Sequence, residues 1–98
     1  MKNILFTLAL LISFISFGQT ADEYFDSGND KAEAKDHYGA IADDTKAIEI
    51  NTNFAFAYNN RGFSKYYLGD KNGACVDWKK AAALGNKFAA ESVAKQCN

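Results

Sequence analysis

Proline is absent from this chain of 98 residues, histidine, tryptophan and methionine occur once each, and cysteine occurs twice. Without proline, no pyrrolidine ring interrupts a helical hydrogen-bond ladder anywhere along it. One histidine, His37, and two cysteines do not make a zinc set with recognisable spacing. His37 also lacks the surrounding pattern of a nucleophile or general base, so no catalytic residue, metal or cofactor is expected. A glycine-rich phosphate loop is missing too. So is any excess of charge: 11 basic against 12 acidic residues give a formal charge of -1, which exerts no strong pull toward nucleic acid. Low order is excluded in turn, because 23% charged and 14% aromatic residues are not the composition of a disordered chain. The length leaves room for one domain, too little for a two-domain enzyme with a cofactor cleft.

Long apolar runs are confined to the beginning. Lys2 supplies a positive charge, and Ile4 to Phe17 follow with only Thr7, Ser13 and Ser16 polar. The run closes on Ser16-Phe17-Gly18, the small-x-small pattern of a signal-peptide cleavage site. An export signal over 1–18 is expected, cut after Gly18. The alternative is a retained anchor, but such a run covers only about 21 Å at 1.5 Å per residue, short of a hydrocarbon core of about 30 Å. The expected location is therefore secreted or periplasmic, with no membrane contact once the leader is gone. In that oxidising space Cys75 and Cys97 are an even count with one possible pairing. A bond between them closes a loop worth about 3 kcal/mol in the chain-entropy model. The alternative is a pair of buried free thiols.

Beyond the leader the chain repeats itself. At an offset of 34, segment 21–54 matches 55–88 at eleven positions without a gap, among them Tyr24 with Tyr58, Gly28 with Gly62, Lys31 with Lys65, Ala40 with Ala74, Asp43 with Asp77 and Ala47 with Ala81. Ala55 and Ala89 carry the match into a third, truncated copy. Each copy reads as two helices, near 21–34 and 38–50 in the first. In the second, a helix over 54–68 ends at Gly69, well placed for a left-handed C-terminal residue. Asp70 or Asn72 can cap the next helix, whose Ala74, Trp78 and Ala81 form one apolar stripe. A fifth helix spans 87–96. No hairpin dipeptide between alternating apolar runs suggests strands, and the expected fold class is all-α, tandem helix-turn-helix units with about five helices.

Tyr24, Gly28, Ala40 and Ala47, and again Tyr58, Gly62, Leu68, Gly69, Ala74, Trp78 and Ala81, resemble the tetratricopeptide repeat (TPR) family. The resemblance covers two repeats, 21–54 and 55–88, and a C-terminal capping helix over 87–97. It implies a superhelical stack in which Gly28 faces Ala40 and Gly62 faces Ala74, with Tyr24, Tyr58, Leu68, Trp78 and Ala81 in the repeat packing. Repeat 1 departs from the pattern with Ser27 where leucine is common, Lys35 where repeat 2 has Gly69, and Asp44 where it has Trp78. Its helices are expected to pack loosely. A stack this short gains from a Cys75–Cys97 bond, which would tie the second helix of repeat 2 to the cap.

The resemblance further implies protein or peptide binding in a groove lined by the first helix of each hairpin, here Phe25, Asn29, Phe56, Asn59, Asn60, Phe63 and Tyr67. Aromatic faces would bury apolar side chains of a peptide, and asparagine amides would pair with its backbone. Phe25 stands where carboxylate-gripping members carry lysine. His37 is expected as an exposed turn residue, and Asp22, Glu23, Asp26 and Asp30 as a solvated helix face, since Lys31 occupies the position a calcium loop reserves for glycine. Charge is distributed by half: three lysines against nine acids in 19–53, seven basic residues against three acids in 54–98. Either the halves attract one another within one molecule, or they support weak head-to-tail self-association or docking to a polarised partner. The expected function is a non-catalytic, exported protein-binding module. A self-assembling structural module and a small inhibitor or immunity-type protein are the alternatives.

Overall fold

A computed structural model describes residues 18–98; the expected leader falls almost wholly outside them. The described residues form five α-helices in chain order: α1 (Ala21–Glu33), α2 (His37–Ile50), α3 (Ala55–Tyr67), α4 (Lys71–Ala83) and α5 (Lys87–Gln96). Each helix packs against the next, and α1 also meets α3. The architecture is an all-α tandem repeat of helical hairpins. Among the described residues no helix is long and apolar enough to cross a membrane.

Three of the four junctions are built alike. Asp36, Asp70 and Asn86 each send their backbone N–H back to the helix just ended, to the carbonyls of Lys31, Lys65 and Ala81. Their side chains accept from the N–H groups of Gly39, Gly73 and Ala89 in the helix about to begin. One residue thus closes a Schellman motif and opens a capped helix. The residue before it must be left-handed: Gly69 (φ 87°) and Gly85 (φ 98°) take this conformation freely, whereas Lys35 (φ 67°) carries a Cβ into it. The fourth junction, Asn51 to Phe54, is looser, and Phe54 gives α3 no side-chain cap. Asn86 also explains why α5 starts at Lys87, two residues before Ala89, the repeat equivalent of Ala55 at the start of α3.

The core is made of small residues and one large one. Ala40, Ala47, Ala57, Ala74, Ala81 and Ala89 are fully buried, and Trp78 nearly so. At Gly62 an added Cβ would lie 2.7 Å from the Trp78 ring and 3.2 Å from the Ala74 carbonyl; at Gly28 it would lie 2.8 Å from Asp44 Oδ1 and 3.4 Å from the Ala40 carbonyl. The first hairpin therefore closes as tightly as the second, contrary to the loose packing expected of it, with a buried carboxyl filling the place of the indole. Tyr24 and Tyr58 are half-buried and pack against the core. Leu68 stands apart from it: it is the C-cap of α3 and is exposed. At the far end, α5 carries Ser92 and Gln96 where α1 and α3 carry tyrosine and glycine. Its surface lacks the notch that receives a following helix, and the Ser92 hydroxyl instead donates to the Phe88 carbonyl. Cys75 of α4 is bonded to Cys97 at the end of α5, with Cα atoms 5.8 Å apart.

Candidate functional site

The same polar clasp holds both hairpins. In the first, Ser27 donates to Asp43 at 2.6 Å and Lys31 pairs with it at 3.0 Å. In the second, Arg61 takes the place of Ser27 and forks onto Asp77 at 2.8 and 2.7 Å, while Lys65 approaches at 3.0 Å. Arg61 also donates to Thr45 of the first repeat and lies 5.5 Å from the centre of the Tyr58 ring. Burial pushes the Asp43 carboxyl up, but the Ser27 hydrogen bond and the Lys31 ammonium outweigh it and hold the group below its ordinary value. The hydrogen bonds to Asp77 raise the Arg61 guanidinium in the same sense, toward the charged form. The repeated Lys31/Lys65 and Asp43/Asp77 identities were the sequence trace of this clasp.

Beside it lies a carboxyl without such help. Asp44 is 1% exposed, and its Oδ1 has no hydrogen-bond partner. Burial raises its pKa to about 7, with Arg61 pulling it down and Asp43 and Asp77 pushing it further up.

The residues expected to line a groove divide into two groups. Asn29, Asn60, Phe63 and Tyr67 come together in a cleft between α1 and α3, where the Asn60 amide donates to Asn29 Oδ1 at 2.6 Å. Phe25 does not join them: its ring lies tilted against that of Phe54, centres 4.9 Å apart, within the packing between repeats. Asn59 is buried, and Phe56 is exposed but lines a separate hollow beside Leu84 and Phe88. Phe25 and Asn59 occupy equivalent positions in their repeats, so the Phe25–Phe54 contact has no counterpart at Asn59, and Phe88 is left 66% exposed.

Several participants were not foreseen. His37 is half-buried rather than an exposed turn residue, and its ring stacks on Tyr67 at 5.1 Å and 15°. Phe63 and Tyr67 also form one wall of a second cleft, between α3 and α5, with Tyr66, Trp78, Phe88 and Lys95 around it. Phe63 stands edge-on to Trp78 at 5.1 Å, and Tyr66 lies 5.6 Å from the same indole. Phe88 could have been found from its match to Phe54, which marks α5 as equivalent to the first helix of a repeat. The His37–Tyr67 stack joins two repeats across a junction and leaves no trace in the period. The arrangement as a whole is an aromatic ridge with a polar cleft on one side and an aromatic one on the other.

Asp22, Glu23, Asp26, Asp30 and Glu33 are exposed along α1. Among the described residues no group of three or more histidine, cysteine, aspartate or glutamate side chains is placed to hold a metal ion.

No family model matches the chain. It is similar to the tetratricopeptide repeat protein 36 homolog of Nematostella vectensis, with 39% identity over 70 residues. The matched region is 71% of this chain and 39% of that protein, so the chain spans well under half the length of its relative.

Proposed function

We propose that this protein is an exported, non-catalytic TPR module that binds an extended peptide segment of another protein along the face shared by α1, α3 and α5. The reading rests above all on the ridge of Phe63 and Tyr67, with Tyr67 68% exposed. Large aromatic side chains at the surface, flanked by amides that can pair with backbone, are the chemistry of a peptide-binding surface. The likeness to a TPR protein supports a protein partner, and the Lys2 to Gly18 leader supports export. Phe25, packed on Phe54, leaves the carboxylate-gripping lysine of some TPR proteins without an equivalent, so recognition is of side chains and backbone within a segment. Selection from a random peptide library on the immobilised oxidised protein tests this. Enriched sequences are expected to bind the wild type and to lose at least tenfold in affinity to Phe63→Ala/Tyr67→Ala. Equal binding by that variant, with its helicity intact, overturns the groove.

A second reading, self-assembly, is favoured by one observation. All five ion pairs among the described residues lie within a single repeat or helix. The acidic face of α1 and the lysines of α4 therefore do not neutralise one another inside the molecule. Light scattering over a concentration series would show mass rising at low salt and falling as salt is added if copies stack.

A further inference from the structure

The Cys75–Cys97 bond lies at the surface, in a setting that bears on its chemistry. Both cysteines are half-buried and border an open hollow between α4 and the end of α5. Lys71 and Lys79 line the same hollow, one helical turn before and one turn after Cys75, so both ammonium groups share its face of α4. The residues around the hollow include these two lysines and no acidic side chain. Neither lysine is committed to an ion pair among the described residues. Cationic neighbours favour the thiolate of a cysteine, and a sulfur that is stable as thiolate is the better leaving group in thiol–disulfide exchange.

What the bond holds is equally specific. Helix α5 has ten residues, and Ala89 alone among them is fully buried. A helix of that length is marginal by itself in water. It nevertheless supplies Phe88 and Lys95 to the cleft beside Phe63 and covers part of the Trp78 layer.

We propose that Cys75–Cys97 is a reducible latch, a modification site for a dithiol reductant, whose opening releases α5 and with it one wall of the α3–α5 cleft. A thiolate of the dithiol attacks Cys97 Sγ, forms a mixed disulfide with it and expels Cys75 as a thiolate beside Lys71 and Lys79. The second thiol of the reductant, deprotonated, then attacks its own partner sulfur in that mixed bond, expels Cys97 and closes the reductant's disulfide. Two electrons pass from the dithiol to the cystine, and the two protons the dithiol gives up return, directly or through water, to the two cysteine sulfurs. Control of peptide binding by this step rests on the groove reading above, but the latch does not.

Two measurements test it without any peptide. The first is the rate at which dithiothreitol reduces the folded, oxidised protein. Lys71→Gln/Lys79→Gln is expected to slow it about threefold or more, while Lys80→Gln, which lies off the hollow, leaves it unchanged. Equal rates for all three proteins overturn the assigned role of the lysines. The second is hydrogen exchange of the reduced protein, with Trp78 emission followed in parallel. Amides of α5 are expected to lose protection and the indole to shift to longer wavelength, while α1 to α4 keep their protection. An α5 that stays protected after reduction, or a loss of protection in all five helices together, overturns the latch. Unchanged peptide binding by the Phe63/Tyr67 variant would sink the groove and leave these two results untouched.

Discussion

Lys35 and Asp44 are the two residues where repeat 1 departs most from repeat 2, and each carries a measurable consequence. Lys35 sits at φ 67°, a conformation that Gly69 and Gly85 adopt at the equivalent ends of α3 and α4. A side chain costs roughly 1–2 kcal/mol there, partly offset by the greater freedom glycine gains in the unfolded chain. Lys35→Gly is therefore expected to stabilise the protein by about 0.5–1 kcal/mol in urea denaturation. Asp44 acts through pH. Its folded pKa of about 7 lies above the ordinary value of 3.8, so between those values the folded protein holds a proton that the unfolded chain has released. Stability is then greatest near the acid end of that window and falls as pH rises toward the folded value, by an amount on the order of 2–4 kcal/mol. Asp44→Asn should flatten this part of the melting-temperature profile and raise the melting point above pH 7. A wild-type profile that climbs through the window would contradict the assignment.

Between helices, the clasps differ in what their loss exposes. Asp77 is 2% exposed and neutralises an Arg61 whose side chain is 17% exposed. Removing it as Asp77→Ala strands a mostly buried cation and should cost about 3 kcal/mol or more. Asp43→Ala breaks the equivalent link, but Lys31 is 42% exposed and can turn to water; about 1 kcal/mol is expected. Denaturant midpoints of the two variants measure the difference. Elements of this kind were partly legible beforehand. Helix bounds followed from Gly69, Gly85 and the polar caps, because Schellman ends are local. The apolar stripe of Ala74, Trp78 and Ala81 followed from its spacing, and the burial of Gly28 and Gly62 from the resemblance to TPR repeats. Contacts that join residues in different repeats were not legible. Asn29 with Asn60, His37 with Tyr67, and Arg61 with Thr45 depend on how one hairpin is set against the next, which no local pattern encodes. The same applies to Phe25, whose aromatic character suited a groove as well as it suited Phe54.

For the molecule as a whole, the leader and the cystine belong to one argument. If the chain is exported, intact-mass measurement of the mature protein is expected to begin at Gln19 and to lie two hydrogens below the mass of the reduced chain. A full-length mass would remove the export reading, and a reduced mass would remove the oxidised state on which the latch depends. Among the described residues no ion pair joins the acidic half to the basic half.

The substitution of a carboxyl for an indole under the glycine of the first hairpin gives the stack a direction. Stability in such arrays is approximately a sum of repeat and interface terms, and near neutral pH the term at Gly28 and Asp44 is weaker than the one at Gly62 and Trp78. The chain should therefore open from the α1 end, with amide exchange in α1 and α2 outpacing that in α4. In the reverse process repeat 2 would serve as the template on which repeat 1 is laid down.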